Sequence, residues 1–271
     1  MKGLDYLFIA LLMLGSYLFA NINFAKIISK CKKRDITKEG SVNPGTLNML
    51  RTFGFFWAIL NMCLEILKGF IPSLIGYLLF GDVGLYLCGF SAVIGHIYPV
   101  VFKFKGGKGV ACTCGMFLAA NWWVCLIVVA VCFTFVTITS IGSVGTLGFV
   151  LIMSIIELCL LNPADWICYV VIGLNLALIF YAHRKNIVRL IKGKENPTNI
   201  KGAFKKDVQK IKDKRANNQS NFNDNINNIN QENSSIKNDN ENSEEKTANV
   251  SILSTNSNAE NIDSINESSN N

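Results

Sequence analysis

Charge is scarce in this sequence. Asp, Glu, Lys and Arg make up 17% of its 271 residues, and half of the chain is hydrophobic. A soluble domain carries about 25% charged residues, so an ordinary soluble fold is excluded for most of the length. Histidine occurs only twice and Cys-x-x-Cys not at all. Cys112 and Cys114 alone are too few for a metal site. The nine cysteines (31, 63, 88, 112, 114, 125, 132, 159 and 168) lie mostly in apolar stretches, where a free thiol behaves as a small hydrophobe. Neither a disulfide framework, nor a metal, nor any cofactor is expected.

Long apolar runs fill the space that charge leaves. A membrane-crossing helix needs about 20 mostly apolar residues. Candidates are 4–22, 52–80, 83–101, 122–139, 143–161 and 165–182, with a shorter apolar piece at 110–120. The first run has a small residue at Ala20 but reads as an uncleaved helix, because chemically suggestive sequence follows it directly. Three segments are basic: 26–38 extended to Arg51, 103–108, and 183–215. The positive-inside rule sets all three on the cytoplasmic face. One crossing then precedes the first segment, two more lead to the second, and an even number must lie within 110–182. Five or seven helices satisfy that parity. Seven is preferred, because it also sets the polar stretch 140–146 on the cytoplasmic side. The net charge of +7 therefore reads as a topology signal, and nucleic acid is not an expected partner.

The resulting expectation is an all-α polytopic membrane bundle over 1–196. A basic juxtamembrane segment follows at 197–215, with Ile200, Phe204, Val208 and Ile211 at helical spacing, suited either to anionic lipid or to solvent. Residues 216–271 are rich in Asn, Ser and acidic side chains, cannot bury a core, and are expected to be disordered.

Three polar segments carry the chemistry. In "KEGSVNPGTLNMLRTFG" (38–54), Asn43-Pro44 fits a helix start, with Asn as cap and Pro at the first helical position. Such a terminus suits a phosphate, with Ser41 donating from the approach and Asn48 and Arg51 sharing a face three residues apart. A capped helix with a headgroup-anchoring Arg explains the segment equally well. In "FKFKGGKGVA" (102–111), successive glycines (Gly106, Gly107, Gly109) let backbone N–H groups turn inward as an anion nest, and Lys108 adds a mobile charge. It is no Walker A loop, because Gly109 stands where Ser or Thr is needed. Lipid-binding lysines in an interfacial turn explain the cations better than the glycines. In "HRKNIVRLIKGKEN" (183–196), Arg184 and Lys185 suit a helix C-terminus, while His183 and Asn186 are uncharged and do little for topology. Three phosphate-suited clusters hint at two phosphorylated substrates, hence a transferase.

Those three segments resemble the signature motifs of the bacterial acyl-phosphate:glycerol-3-phosphate acyltransferases, the PlsY family. "GHIYPVVFKFKGGKGVA" (95–111) is the most specific string, and "LEILKG" (64–69) and "TSIGSVG" (139–145) fall in the matching order. The resemblance covers residues 1 to about 196. It implies a seven-helix membrane enzyme that moves a fatty acyl group from acyl phosphate to the sn-1 hydroxyl of glycerol 3-phosphate, releasing lysophosphatidic acid and inorganic phosphate without metal. It further implies a bacterial cell membrane location, with motifs and tail cytoplasmic. Ser41, Asn48, Arg51, Gly106, Gly107, Gly109 and Ser143 would bind phosphate, and Lys108, His183 and Asn186 would act at the reacting centre. His183 is treated as a ligand first and a base second, the departing phosphate being the preferred proton acceptor. His96 is expected to support the loop. Acyl phosphate, glycerol 3-phosphate and membrane lipid are the expected partners of a monomer.

Several positions depart from the family pattern. Ala20-Asn21-Ile22-Asn23 replaces the usual Gly-Ser-Ile-Pro. Val42, Thr46 and Leu47 stand for Gly, Ala and Thr, Cys112 for Thr, and Ser140 for a basic residue. Val42 is the most problematic, since a β-branched residue does not readily take the positive φ that glycine permits. The rival readings are a transporter of a phosphorylated small molecule, which would favour internal repeats and midplane polar groups, and an inactive homologue.

Overall fold

The computed structural model describes residues 3–162 and 164–230, and every regular element among them is helical. The helices are α1 (Gly3–Ala20), α2 (Phe24–Cys31), α3 (Thr46–Phe53), α4 (Phe55–Ile97), α5 (Val110–Ala120), α6 (Trp122–Thr139), α7 (Gly142–Leu160), α8 (Trp166–Ala182) and α9 (Arg184–Ile191). A short 3-10 turn at Val100–Phe102 leads into the glycine-rich loop. Residues 200–230 are helical as well.

The 43-residue α4 is a hairpin of two arms. Its path breaks at Phe80 and Gly81, where Gly81 takes φ +60. The arms then return side by side: a Cβ on Gly76 would lie 2.2 Å from the Gly84 carbonyl oxygen. Only hydrogen side chains permit that approach. The two runs expected at 52–80 and 83–101 are these arms.

Apolar side chains fill both the inside and the outside of the bundle. Val93, Met116, Phe117, Met153, Ile172 and Ile179 form the core where α4, α5, α7 and α8 meet. Leu126, Ile127, Val131 and Ile138 on α6 face outward, with Ile138 73% exposed. Apolar faces of that extent need a hydrocarbon neighbour. By length and composition four segments qualify as spans, and α8 with α9, bent by 58°, makes a fifth. The protein is an integral membrane helix bundle.

Polar groups inside the bundle are mostly paired. Glu157 of α7 accepts from Tyr86 Oη at 2.7 Å and from Asn121 Nδ2 at 3.1 and 3.0 Å, tying α7 to α4 and to the start of α6. Asn21 and Asn23, two departures from the family pattern, have local partners. Asn23 caps α2 by accepting from Lys26 N at 3.0 Å, and Asn21 Nδ2 donates to Tyr17 O at 2.6 Å.

One local expectation is corrected. Asn43-Pro44 does not open α3: the helix begins at Thr46 with Gly45 in the cap position. Gly45 N donates to Asn43 O at 2.9 Å, a tight turn that holds Asn43 and Pro44 outside the helix. Of the tail, residues 216–230 are described, as helix with every side chain exposed and no core of their own. The remainder of the tail, 231–271, lies outside the described residues.

Candidate active site

A cavity of about 250 Å³ opens among α3 to α7. Met62, Ile66, Val129, Phe133, Val136 and Phe149 give it an apolar body, while Lys108, Ser143 and His183 line it alongside Glu65 and His96. An apolar chamber with a few convergent polar groups is how sites for amphiphilic ligands are built.

Lys108 is held by Asn186, which ties it to groups from two further segments. Its Nζ donates to Asn186 Oδ1 of α9 at 2.5 Å. Asn186 Nδ2 donates to Ser143 Oγ at the start of α7, at 2.9 Å, and to Glu195 Oε1 at 2.8 Å. Ser143 Oγ donates to the same Glu195 oxygen at 2.5 Å, and Arg189 Nε reaches Glu195 Oε2 at 3.1 Å. Burial, and then the Arg189 cation, push Lys108 down to about 8. Burial raises the Glu195 carboxyl, but the hydrogen bonds from Ser143, Asn186 and Arg189 outweigh it and hold the group below its usual range. The cluster therefore has one anion anchoring a positive site.

His183 ends α8 with Nδ1 at 2.9 Å from Ile179 O. That carbonyl accepts, so Nδ1 carries the hydrogen and Nε2 the lone pair. Burial, reinforced by Lys108, pushes His183 down to about 4. The imidazole is neutral near pH 7 and offers an acceptor.

Two amides of the glycine-rich loop, expected to turn toward an anion, are paired within the chain. Gly106 N donates to Ile97 O and Gly107 N to His96 O, each at 3.1 Å. Those amides close the end of α4 instead of pointing at a ligand. The glycines are needed for contact: a Cβ on Gly107 would come within 2.1 Å of His96 Nε2. Gly109, at φ +85, turns the chain into α5, whose first-turn N–H groups have no partners within the helix. His96 supports the loop, as expected, through a buried chain beneath it. His96 Nδ1 lies 2.7 Å from Glu65 Oε2, and Lys68 Nζ lies 2.7 Å from the same oxygen.

The first polar segment enters the site only in part. Asn48 is buried and fully used by its own loop. Its Oδ1 accepts from Ser41 N at 2.7 Å, and its Nδ2 donates to Ile36 O and Glu39 O at 3.1 and 2.9 Å. Ser41 and Arg51 do not line the cavity; Asn43, Gly45 and Thr46 do. Val42 does take a positive φ, +58, with its side chain 58% exposed. The departure from glycine is thus accommodated, under local strain.

Arg51 faces the segment after Glu195. Its Nε donates to Pro197 O at 3.1 Å, and its Nη2 donates to Asn196 O and Thr198 Oγ1, both at 3.0 Å. Thr198 N donates to Ser140 O at 2.8 Å, Ile200 lines the cavity, and Phe204 packs edge-on against Phe55 with centroids 5.1 Å apart. Asp207 Oδ2 accepts from Phe55 N at 2.7 Å and caps the first arm of α4. Residues 196–207 thus strap the cavity's rim. Sequence reasoning read the apolar spacing of Ile200 and Phe204 as suited to lipid or solvent, without their packing over the cavity, and passed over Glu195. Glu195, the lone acid closing the basic run 184–195, was the available signal.

A buried cation beside a long apolar chamber defines a membrane enzyme or carrier for an amphiphile bearing an anionic group. Comparison with known proteins narrows that class. The family model described as glycerol-3-phosphate acyltransferase matches residues 10–193. A glycerol-3-phosphate acyltransferase of Mycoplasmopsis pulmonis is 38% identical over 200 residues, covering 67% of this chain and 89% of the relative. One from Finegoldia magna is 34% identical and covers 71% and 98%. Two crystal structures of an integral membrane glycerol 3-phosphate acyltransferase, in its glycerol 3-phosphate and lysophosphatidic acid forms, superpose with TM-scores of 0.66 and 0.64. Each is 34% identical and covers 70% of this chain and 94% of its own. The chain belongs to the glycerol-3-phosphate acyltransferase family.

Proposed function

We propose that the protein transfers a fatty acyl group from acyl phosphate to the sn-1 hydroxyl of glycerol 3-phosphate, giving lysophosphatidic acid and inorganic phosphate. The observation that carries this reading is Lys108, bonded to Asn186, which Glu195 in turn anchors, on the wall of an apolar cavity. The acyl chain occupies the chamber lined by Met62, Val129 and Phe133. Lys108 and the first turn of α5 face the departing phosphate, where negative charge grows. Arg51, held by the strap, adds a second fixed cation at the rim. His183 Nε2 accepts the hydrogen bond of the attacking hydroxyl and orients its oxygen toward the carbonyl carbon. The oxygen–carbon bond forms, the carbon–phosphate oxygen bond breaks, and the hydroxyl proton leaves with the phosphate. A phosphate leaving group is already activated, so alignment and charge stabilisation suffice and no cofactor takes part.

The cell membrane of a bacterium is the setting. Counting the two arms of α4 separately and α5 as a short crossing gives seven passes, with the three polar segments and the tail cytoplasmic.

The test is phosphate release from palmitoyl phosphate by purified protein in lipid, with and without glycerol 3-phosphate. Release that depends on glycerol 3-phosphate and is lost in Lys108→Ala is the expected result. No release from folded protein, beside an active family member, would remove the enzyme reading and favour an inactive homologue.

A further inference from the structure

One residue lining the cavity keeps a polar atom without a partner among the described residues. The face of α4 turned to the cavity carries Phe55, Ala58, Ile59, Met62, Glu65 and Ile66, the spacing of one helical stripe. Five are apolar. The sixth, Glu65, is 2% exposed. Its Oε2 is used twice, by Lys68 Nζ and by His96 Nδ1, each at 2.7 Å. Its Oε1 is buried with no hydrogen-bond partner.

The groups behind Glu65 cannot turn to satisfy that oxygen. Lys68 has three hydrogens, and besides Glu65 it donates to Ala20 O at 3.1 Å and Ile22 O at 2.5 Å. His96 is pinned on its other side, because Gly107 lies directly over Nε2. Glu65 is therefore a rigid acceptor, clamped from the rear. A carboxylate oxygen only accepts, and burying one unpaired is costly, so it calls for a donor from whatever enters the cavity.

We propose that Glu65 Oε1 accepts the hydrogen bond of the second, non-reacting hydroxyl of glycerol 3-phosphate. This rests on the function proposed above. The acceptor substrate brings two hydroxyl donors, and the cavity wall offers two matching acceptors, His183 Nε2 and Glu65 Oε1. The hydroxyl at His183 reacts; the one at Glu65 sets how the glycerol lies. Lys68 and His96 are positioning residues that fix the carboxylate. Glu65 then discriminates glycerol 3-phosphate from a phosphorylated alcohol with only one hydroxyl.

A thermodynamic cycle tests this. Binding of glycerol 3-phosphate and of 3-hydroxypropyl phosphate, which lacks the second hydroxyl, is measured by calorimetry on the full chain in lipid, wild type and Glu65→Gln. In the variant, Lys68 and His96 take the amide oxygen and turn the NH₂ group into the cavity, a donor where an acceptor is needed. Wild type should prefer glycerol 3-phosphate by about tenfold to a hundredfold. Glu65→Gln should erase that preference while holding 3-hydroxypropyl phosphate within about twofold. Equal weakening of both ligands, or no preference in wild type, would overturn the proposal. If Glu65→Gln does not fold, Glu65→Asp keeps the charge and retracts it by one methylene; unchanged selectivity there would overturn it as well. Because the cycle is read in binding, absent turnover with palmitoyl phosphate would strike the proposed reaction and leave the Glu65 contact standing or falling on its own.

Discussion

Two asparagines, both expected to meet substrate, have opposite roles in the fold. Asn48 is 1% exposed and spends its whole amide on the backbone of residues 36–41. Asn186 is 6% exposed and joins Lys108, Ser143 and Glu195, from three separate segments, beside the cavity. The first shapes a loop; the second assembles a site. The contrast follows from where each sits. Asn48 lies beneath a loop that turns at Gly40 and Val42 and presents unpaired backbone groups, so local partners take it first. Asn186 lies on a helix whose own backbone groups are already paired, so its side chain is free for distant partners.

The sharpest break in the comparison comes at Lys108. Lys108→Ala removes the cation that Asn186 positions, and kcat/KM with palmitoyl phosphate should fall by about a hundredfold to a thousandfold. Unfolding behaviour should change little, which separates it from the loop asparagine. A smaller drop than tenfold would mean the phosphate is stabilised elsewhere.

Acidity sharpens the same point. Burial pushes Lys108 down to about 8, so its protonated form is present below that pH and is lost as pH rises through it. The rate, corrected for substrate ionisation, should fall about tenfold per unit above pH 9. Lys108→Arg should move that limb out of range. His183, pushed down to about 4 by burial and Lys108, should give no limb between pH 5 and 7.

Asn48→Ala addresses the other side. Three hydrogen bonds disappear, and two backbone carbonyls and the Ser41 amide lose a partner, so stability should fall by about 2–3 kcal/mol. Denaturant unfolding in detergent checks it. A large loss of kcat in Asn48→Ala protein that unfolds like wild type would instead mark Asn48 as a ligand.

The smallest effect belongs to Val42. At φ +58 a β-branched residue is strained, and its exposed side chain contributes little packing. Val42→Gly should stabilise the protein by about 1 kcal/mol net of the added backbone entropy. Unchanged thermal unfolding would show that the loop relaxes around valine at no cost.

The sequence by itself determined the class and the cast of residues. Long apolar runs separated by basic segments require a membrane bundle, because hydrocarbon demands internally paired backbones and cations stay at the interface. The strings around Lys108, His183 and Asn186 marked the groups that now surround the cavity. Their grouping in space was a tertiary matter. Nothing along the chain shows that Glu195 anchors Asn186, that Arg51 is held by carbonyls of Asn196 and Pro197, or that Asp207 caps a helix beginning 152 residues earlier. Hydrogen bonds of that kind join groups with no periodic relation, and composition registers only that polar groups exist, leaving their partners to the packing of the helices.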